Sequence, residues 1–303
     1  MMAHVPRSVS HAGLLTALAA LAIPALVATG LVAATPAAAS EAPSRIVSIG
    51  GAITEILFDL GAADRLAAVD TTSTFPAAAR DLPSVGYMRA LSAEGVLSVA
   101  PDLVLAQDGA GPPPVMAILK AGAVPMTLVP DTPTPEGVAQ KIRMVGAAVG
   151  AKDRAESLAG AVTADFAALA GEVASISERK RVLFVLSLAG GRPMVGGTDT
   201  AADAIITLAG GVNAASGFSG YKPMVDEAVI AAAPDVVLVM AREGHDVDAA
   251  TLFAQPAFAV TPAAATRALV TMEGLYLLGF GPRAPAAARA LAARLYPGRI
   301  AAP

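Results

Sequence analysis

Short β-branched runs alternate with helical stripes along most of this chain. Arg45–Ile49, Leu66–Val69, Leu103–Ala106, residues 124–129, Arg181–Leu188 and Val236–Met240 read as buried strands. Thr54–Leu60 carries Ile56, Leu57 and Leu60 at helical spacing and stops at Gly61. Ser92 is placed to cap a helix over Ala93–Val99, and further helices are predicted over 114–121, Thr200–Leu208, Asp226–Ala232 and 284–295. Residues 71–90, with Pro76, Pro83 and Gly86, read as loop with a short helix at 76–80. Residues 135–179 hold no strand pattern. Helices are predicted there at Glu136–Val149 and Asp153–Ile176, the second with Leu158, Val162, Phe166 and Leu169 on one face.

Strands alternating with helices on both sides of a strand-free helical stretch predict an α/β protein of two doubly wound lobes. Their sheets should be mainly parallel and joined by a long interdomain α-helix. The expected division is an N-terminal lobe over 40–150, a connecting helix over 151–179 and a C-terminal lobe over 180–303. A helical connector permits small tilts only, so a largely preformed cleft is expected. Its floor should be the loops at the carboxyl ends of the strands.

An internal repeat supports the two lobes. Ser92–Leu105 and Val225–Leu238 align at an offset of 133, which superposes Glu94 on Glu227 and Pro101-Asp102 on Pro234-Asp235. Gly86-Tyr87 precedes the first copy and Gly220-Tyr221 the second, with one residue of slippage. Two such copies suit a ligand held between similar halves rather than a solenoid.

Composition narrows the chemistry. Residues 12–34 are almost wholly apolar, and Ala37-Ala38-Ala39 offers a small-residue cleavage site, so residues 1–39 are expected to be a secretory signal peptide. The chain has no Cys, which excludes disulfides, thiolate metal sites and a lipid-attached cysteine. Past the signal the only histidine is His245, which argues against a multi-histidine metal site. The formal charge of −4 gives no reason to expect nucleic acid. Gly-x-Ser-x-Gly, P-loop and His-Glu-x-x-His patterns are absent, so no catalytic site is predicted. Gly50-Gly51 and Gly196-Gly197, each before a helix, offer amides suited to contact an anion, but without the remaining fingerprint glycines they are weak nucleotide sites.

Tyr87 carries the most specific chemistry. Read alone, a loop tyrosine either packs its ring and keeps its hydroxyl wet or serves as an anionic oxygen ligand. Gly86 permits a positive φ, and Arg89 stands two residues on. In an extended chain the two side chains share a side, and the guanidinium would favour phenolate over phenol. A phenolate suits ferric iron and is a known axial ligand of haem. Tyr221, its mate in the second copy, is expected to line the opposite wall or to lie partly buried in the core.

The segment Val85-Gly86-Tyr87-Met88-Arg89-Ala90-Leu91-Ser92-Ala93-Glu94-Gly95 resembles the haem-binding periplasmic proteins of bacterial haem-uptake ABC transporters. So do Thr200–Ala204, Leu208–Asn213, Gly220–Pro223 and Gly274–Arg283, so that the resemblance runs from about Arg45 to Leu295. The Pro-Asp strand motif belongs to the wider class that binds cobalamin and ferric siderophores. The resemblance implies that Tyr87 ligates haem iron and that Arg89 contacts its phenolate oxygen. Lys222, Arg242 and Arg283 become candidates for the two propionates, with Arg283 foremost, and His245 for a loop near the cleft. No His occurs in Thr198–Ala204, so a His–Tyr pair or a stack of two haems is not expected.

Glu94 and Glu227 each fall in the first turn of a predicted helix, where the helix dipole favours a carboxylate. The resemblance adds a role for them, one Glu per lobe docking into arginine pockets on two permease subunits. The expectation is therefore a monomeric periplasmic protein, not an enzyme, that carries haem b to the ABC transporter permease dimer of the inner membrane. Its rivals are a carrier of cobalamin or a ferric siderophore on the same scaffold, a secreted hydrolase, and an interaction module.

Overall fold

A computed structural model describes residues 42–188, 192–241 and 247–303. The expected signal peptide and two candidate side chains, Arg242 and His245, lie outside the described residues.

The first half runs β1 (Ile46–Ile49), α1 (Gly51–Asp59), β2 (Leu66–Val69), α2 (Ala93–Leu97), β3 (Leu103–Gln107), α3 (Pro113–Ala121) and β4 (Met126–Val129). Two consecutive helices follow, α4 (Pro135–Ala148) and α5 (Lys152–Val173). The chain continues as β5 (Arg181–Ser187), β6 (Met194–Gly196), α6 (Ala201–Leu208), β7 (Val212–Asn213), β8 (Tyr221–Pro223), α7 (Asp226–Ala232) and β9 (Val236–Ala241). It closes with α8 (Ala249–Phe253), α9 (Pro256–Ala259), α10 (Pro262–Thr266), β10 (Leu269–Glu273), α11 (Gly274–Leu278) and α12 (Ala284–Leu295).

Strands β2-β1-β3-β4 form one wholly parallel sheet, and β10-β9-β5-β6-β8 form the other, with β7 beside β5. The second sheet is parallel from β10 to β5 and antiparallel where β6 pairs β5 and β8. These are two α/β lobes joined through a long helix, as the alternation of strands and helices predicts.

Alternation along the strands explains why both sheets form. Ile46, Leu103 and Leu105 enter one cluster, while Val47, Ile49, Val104 and Ala106 enter another on the opposite face. In the second sheet Val182, Phe184, Val236 and Leu238 face one way and Leu183, Val185, Val237 and Val239 the other. A strand buried on both faces must be apolar throughout, which is why these runs show no polar alternation. The inward faces of both sheets belong to one continuous cluster, filled by residues of α1, α4, α5, α6 and α12. The join is thus broader than the single connector helix expected from sequence.

The repeat is structural. Asp102 accepts the Arg45 amide at 3.0 Å, and the Arg45 guanidinium turns back onto the Val99 and Ala100 carbonyls. In the second copy Asp235 accepts the Arg181 amide at 2.8 Å, and Arg181 donates to the Ala232 carbonyl. Ala100 and Ala233 are both left-handed, with φ of 47° and 42°. Each Pro-Asp turn therefore clips the first strand of its lobe by the same device.

Candidate functional site

The carboxyl ends of the first sheet carry a polar network. The Gly50 amide donates to Asp70 Oδ1 at 2.9 Å and the Gly51 amide to Thr72 Oγ1 at 3.0 Å. Gly197 N–H is likewise used, by the Gly220 carbonyl at 2.9 Å. The Gly50, Gly51 and Gly197 amides considered for an anion contact thus have partners within the protein. At the ends of β3 and β4, Gln107 Nε2 donates to Asp131 Oδ2 at 2.7 Å.

Tyr87 stands in the loop between β2 and α2. Gly86 before it has φ 92°, the left-handed freedom that the sequence suggested, and Tyr87 is 46% exposed. Its hydroxyl has no hydrogen-bond partner among the described residues. The extended geometry expected for Tyr87–Arg89 does not form. The Ala90 amide donates to the Tyr87 carbonyl at 2.8 Å and closes a turn over Met88 and Arg89. Within that turn Met88 buries its side chain in the outer core of the lobe while Tyr87 and Arg89 stay exposed.

Tyr221 lies on β8, opposite Gly196. A Cβ at position 196 would come within 3.3 Å of the Tyr221 ring, so glycine makes the room in which that ring meets Phe184 edge-on at 6.3 Å. Burial pushes the Tyr221 phenol above its ordinary pKa; the Ala202 amide, the Thr200 hydroxyl and the Arg89 guanidinium oppose the rise, and Asp131 adds to it. Arg89 and Asp131 of the first lobe thus lie within electrostatic reach of Tyr221 of the second. Lys222, next on the strand, places its ammonium 5.4 Å from the centre of the Phe218 ring.

Arg283 is already engaged. Its Nη2 lies 3.0 Å from Glu55 Oε2, and its amide donates to Glu55 Oε1 at 3.0 Å. The guanidinium stacks 3.5 Å from the Phe75 ring centre and 5.1 Å from that of Tyr276. Burial pushes the Glu55 pKa above the ordinary carboxylate range despite that guanidinium. Thr74 Oγ1 to Glu273 at 3.2 Å is a second bond between the halves.

A third bridge was not foreseen. Lys141 of α4 is fully buried and donates to Asp131 Oδ1 at 2.6 Å and to the Phe280 carbonyl at 3.2 Å. Its signal was in the sequence: Val138, Lys141, Ile142 and Val145 form one helical stripe, and a lysine inside it requires a buried partner. The tract Gly274–Arg283 is therefore where the C-terminal segment locks onto α1 and α4.

Glu94 and Glu227 are exposed, each in the first turn of its helix. Ser92 caps α2 as expected, accepting the Gly95 amide at 3.0 Å.

Two α/β lobes, one with a parallel and one with a mixed sheet, over a continuous core have the architecture of a two-lobed solute-binding protein. Residues 46–274 match the family described as Periplasmic binding protein, and the chain belongs to that family. Among solved structures it is similar to the periplasmic heme-binding protein BhuT in complex with two hemes, at 44% identity and a TM-score of 0.78 over 83% of this chain and 97% of that one. The apo periplasmic heme-binding protein RhuT from Roseiflexus sp. RS-1 is 40% identical, with a TM-score of 0.79 over 84% and 98%. A periplasmic heme-binding protein from Pseudomonas aeruginosa is 34% identical, with a TM-score of 0.79 over 86% and 96%. An uncharacterised ABC transporter substrate-binding lipoprotein of Bacillus subtilis, YvrC, is 29% identical over 199 residues, 65% of this chain and 63% of the relative's length. The vitamin B12-binding protein of Yersinia pestis (strain Pestoides F) is 31% identical over 87 residues, 29% of this chain and 31% of that protein.

Proposed function

We propose that this chain captures haem between its lobes and hands it to a dimeric ABC permease, working in the periplasm after loss of residues 1–39. The working division of the rest is the lobes 40–150 and 180–303 with the connector 151–179. The observation that carries the reading is Tyr87: an exposed phenol presented by a left-handed glycine, without a partner of its own among the described residues, in the loop between β2 and α2. The similarity to three heme-binding proteins at 34–44% identity supports haem as the cargo.

In this reading Tyr87 supplies the iron ligand. Arg89, free of any ion pair among the described residues and within electrostatic reach of Tyr221, is available to an anionic group of the ligand. Tyr221, held neutral by burial, provides ring surface and a donor rather than a second anion. Lys222 is exposed on an edge strand and suits a propionate. Arg283 is neutralised by Glu55, so any propionate role for it requires opening that pair. No bond is made or broken, and the work is capture, sequestration and docking.

The test is titration of purified protein lacking residues 1–39 with hemin. A saturable high-spin ferric spectrum with a charge-transfer band in the red is expected, and Tyr87→Ala should remove that band. An unchanged bound spectrum in Tyr87→Ala refutes the ligand assignment. The match to the vitamin B12-binding protein favours cobalamin as the second reading. Saturable cobalamin binding without hemin binding would select it.

A further inference from the structure

The two ends of the cleft are built differently. Strands β2 and β4 are opposite edges of the first sheet, and β10 and β8 opposite edges of the second. At the β2/β10 end the lobes are bonded to each other, Thr74 to Glu273 and Glu55 to Arg283. At the other end Arg89 and Asp131 lie within electrostatic reach of Tyr221. No hydrogen bond or ion pair joins β8 to the first lobe there among the described residues.

Charge divides the same way. Glu55, Asp59 and Glu273 set three carboxylates at the bonded end. Arg283 acts on both Glu55 and Asp59, and its Nε and Nη2 are closed to solvent. Arg80 Nε donates to the Thr74 carbonyl at 3.0 Å. Glu273 spends its oxygens on Thr74 and on the Leu275 and Tyr276 amides. The cations that make no ion pair among the described residues, Arg89 and Lys222, belong to the β8 end. Asp131 at that end is answered by Lys141.

Amid the charges of the bonded end stands an open aromatic ring. Phe75 is 39% exposed, although the Arg283 guanidinium is stacked 3.5 Å from its centre. A ring braced from one side and left partly open is a surface for a flat apolar group.

We propose that Phe75 is the end wall of the cleft and decides which edge of the macrocycle lies against it. This rests on the haem reading given above. Haem b carries vinyl and methyl groups on one edge and two propionates on the other. Against Phe75 a propionate would meet carboxylates and no available cation, so the vinyl edge lies there. The propionates then extend toward Arg89 and Lys222. Arg283 braces the wall and does not bind a propionate. A macrocycle with carboxylates on every side has no edge to offer this wall and is rejected.

The test compares hemin with iron(III) coproporphyrin III, in which propionates replace the two vinyl groups. Both are titrated into the purified protein, with melting temperature on the same samples. The native chain should bind hemin at least about tenfold more tightly than the coproporphyrin, one apolar edge being worth roughly that much. Phe75→Ala removes the wall and uncovers Arg283. It should weaken hemin roughly tenfold, with coproporphyrin binding unchanged or tighter. Phe75→Leu keeps an apolar wall and should keep the preference for hemin. The charge-transfer band of the iron should persist in every variant, because its ligand is untouched. If Phe75→Ala melts early, Phe75→Gln replaces it, with the same expected loss of preference. A native chain without preference, or a Phe75→Ala protein in which both ligands weaken equally or neither changes, overturns the wall while the haem reading stands. A native chain that binds no hemin sinks the haem reading and the wall with it.

Discussion

Lys141→Met tests whether a buried ammonium holds the halves together. Methionine keeps most of the stem's volume, so the change is chiefly electrostatic. It removes the 2.6 Å bond to Asp131 and the donor at 3.2 Å from the Phe280 carbonyl. Removing one partner of a buried pair costs about 3–5 kcal/mol. Asp131 is one-third exposed and keeps Gln107, so water and the amide recover part of that. The loss should be about 2–3 kcal/mol after that correction. For a chain of this size about 1 kcal/mol moves the melting temperature by about 2–4 °C. The variant should therefore melt roughly 5–10 °C lower by circular dichroism. Asp131→Asn, which keeps an oxygen acceptor but loses the charge, should fall between the two. A Lys141→Met protein melting within about one degree of the native chain would mean that the lysine's desolvation cancels its bonds, and the bridge contributes nothing net.

Three further outcomes follow from the geometry. Burial raises the Glu55 pKa above 4.5, so the stability it confers is complete below that value and is lost as pH rises through the raised one; Glu55→Gln should compare better with the native protein at pH 7 than at pH 4, by melting temperature. Burial works against the Asp102 carboxylate, but the Ser44 and Arg45 amides outweigh it and hold its pKa below 3.8; its stabilisation is present above 3.8 and vanishes as pH falls through the lowered value, so the gap between native and Asp102→Asn proteins should close in acid. Gly86→Ala adds a Cβ that meets nothing within 4 Å but must adopt φ 92°; it should lose about 1–2 kcal/mol in urea unfolding and weaken hemin binding by moving Tyr87, whereas an unaffected hemin titration would show that the glycine does not set the phenol's position.

The frame was legible because its signals are long and mutually consistent. The strand runs are apolar through both faces, and α12 spans 284–295 as its stripe predicts. Helix α4 starts and ends one residue before the predicted 136–149. What was not legible is short. Strands β6 and β8 have three residues each, contain Gly196 and Pro223, and form only because they pair with β5 and with each other. Helices α8 to α10 have four or five residues, too few for a stripe, although Asp248, Thr261 and the prolines at 256 and 262 mark their starts. At the site, Gly86 and Tyr87 stood out in sequence, but the orientation of Arg89 did not. The turn is closed by the Ala90 amide on the Tyr87 carbonyl, a backbone bond that no pattern of side chains encodes. The bridge at Lys141 depends on Asp131 and the Phe280 carbonyl, ten and 139 residues away, a partnership that no local pattern encodes.

The two lobes repeat one frame, yet their tyrosines sit in different surroundings. Both follow a left-handed glycine, Gly86 at φ 92° and Gly220 at φ 80°. Tyr221 then enters a strand, sets its ring against Phe184 and turns its hydroxyl to the start of α6, where burial keeps the proton on. Tyr87 leads into a turn over Met88 and Arg89 instead, and its hydroxyl is left without a partner among the described residues. A phenol whose surroundings raise its pKa resists ionisation, and one with no partner is open to whatever cation arrives. The two tyrosines of the repeat are therefore chemically unequal although both follow a left-handed glycine.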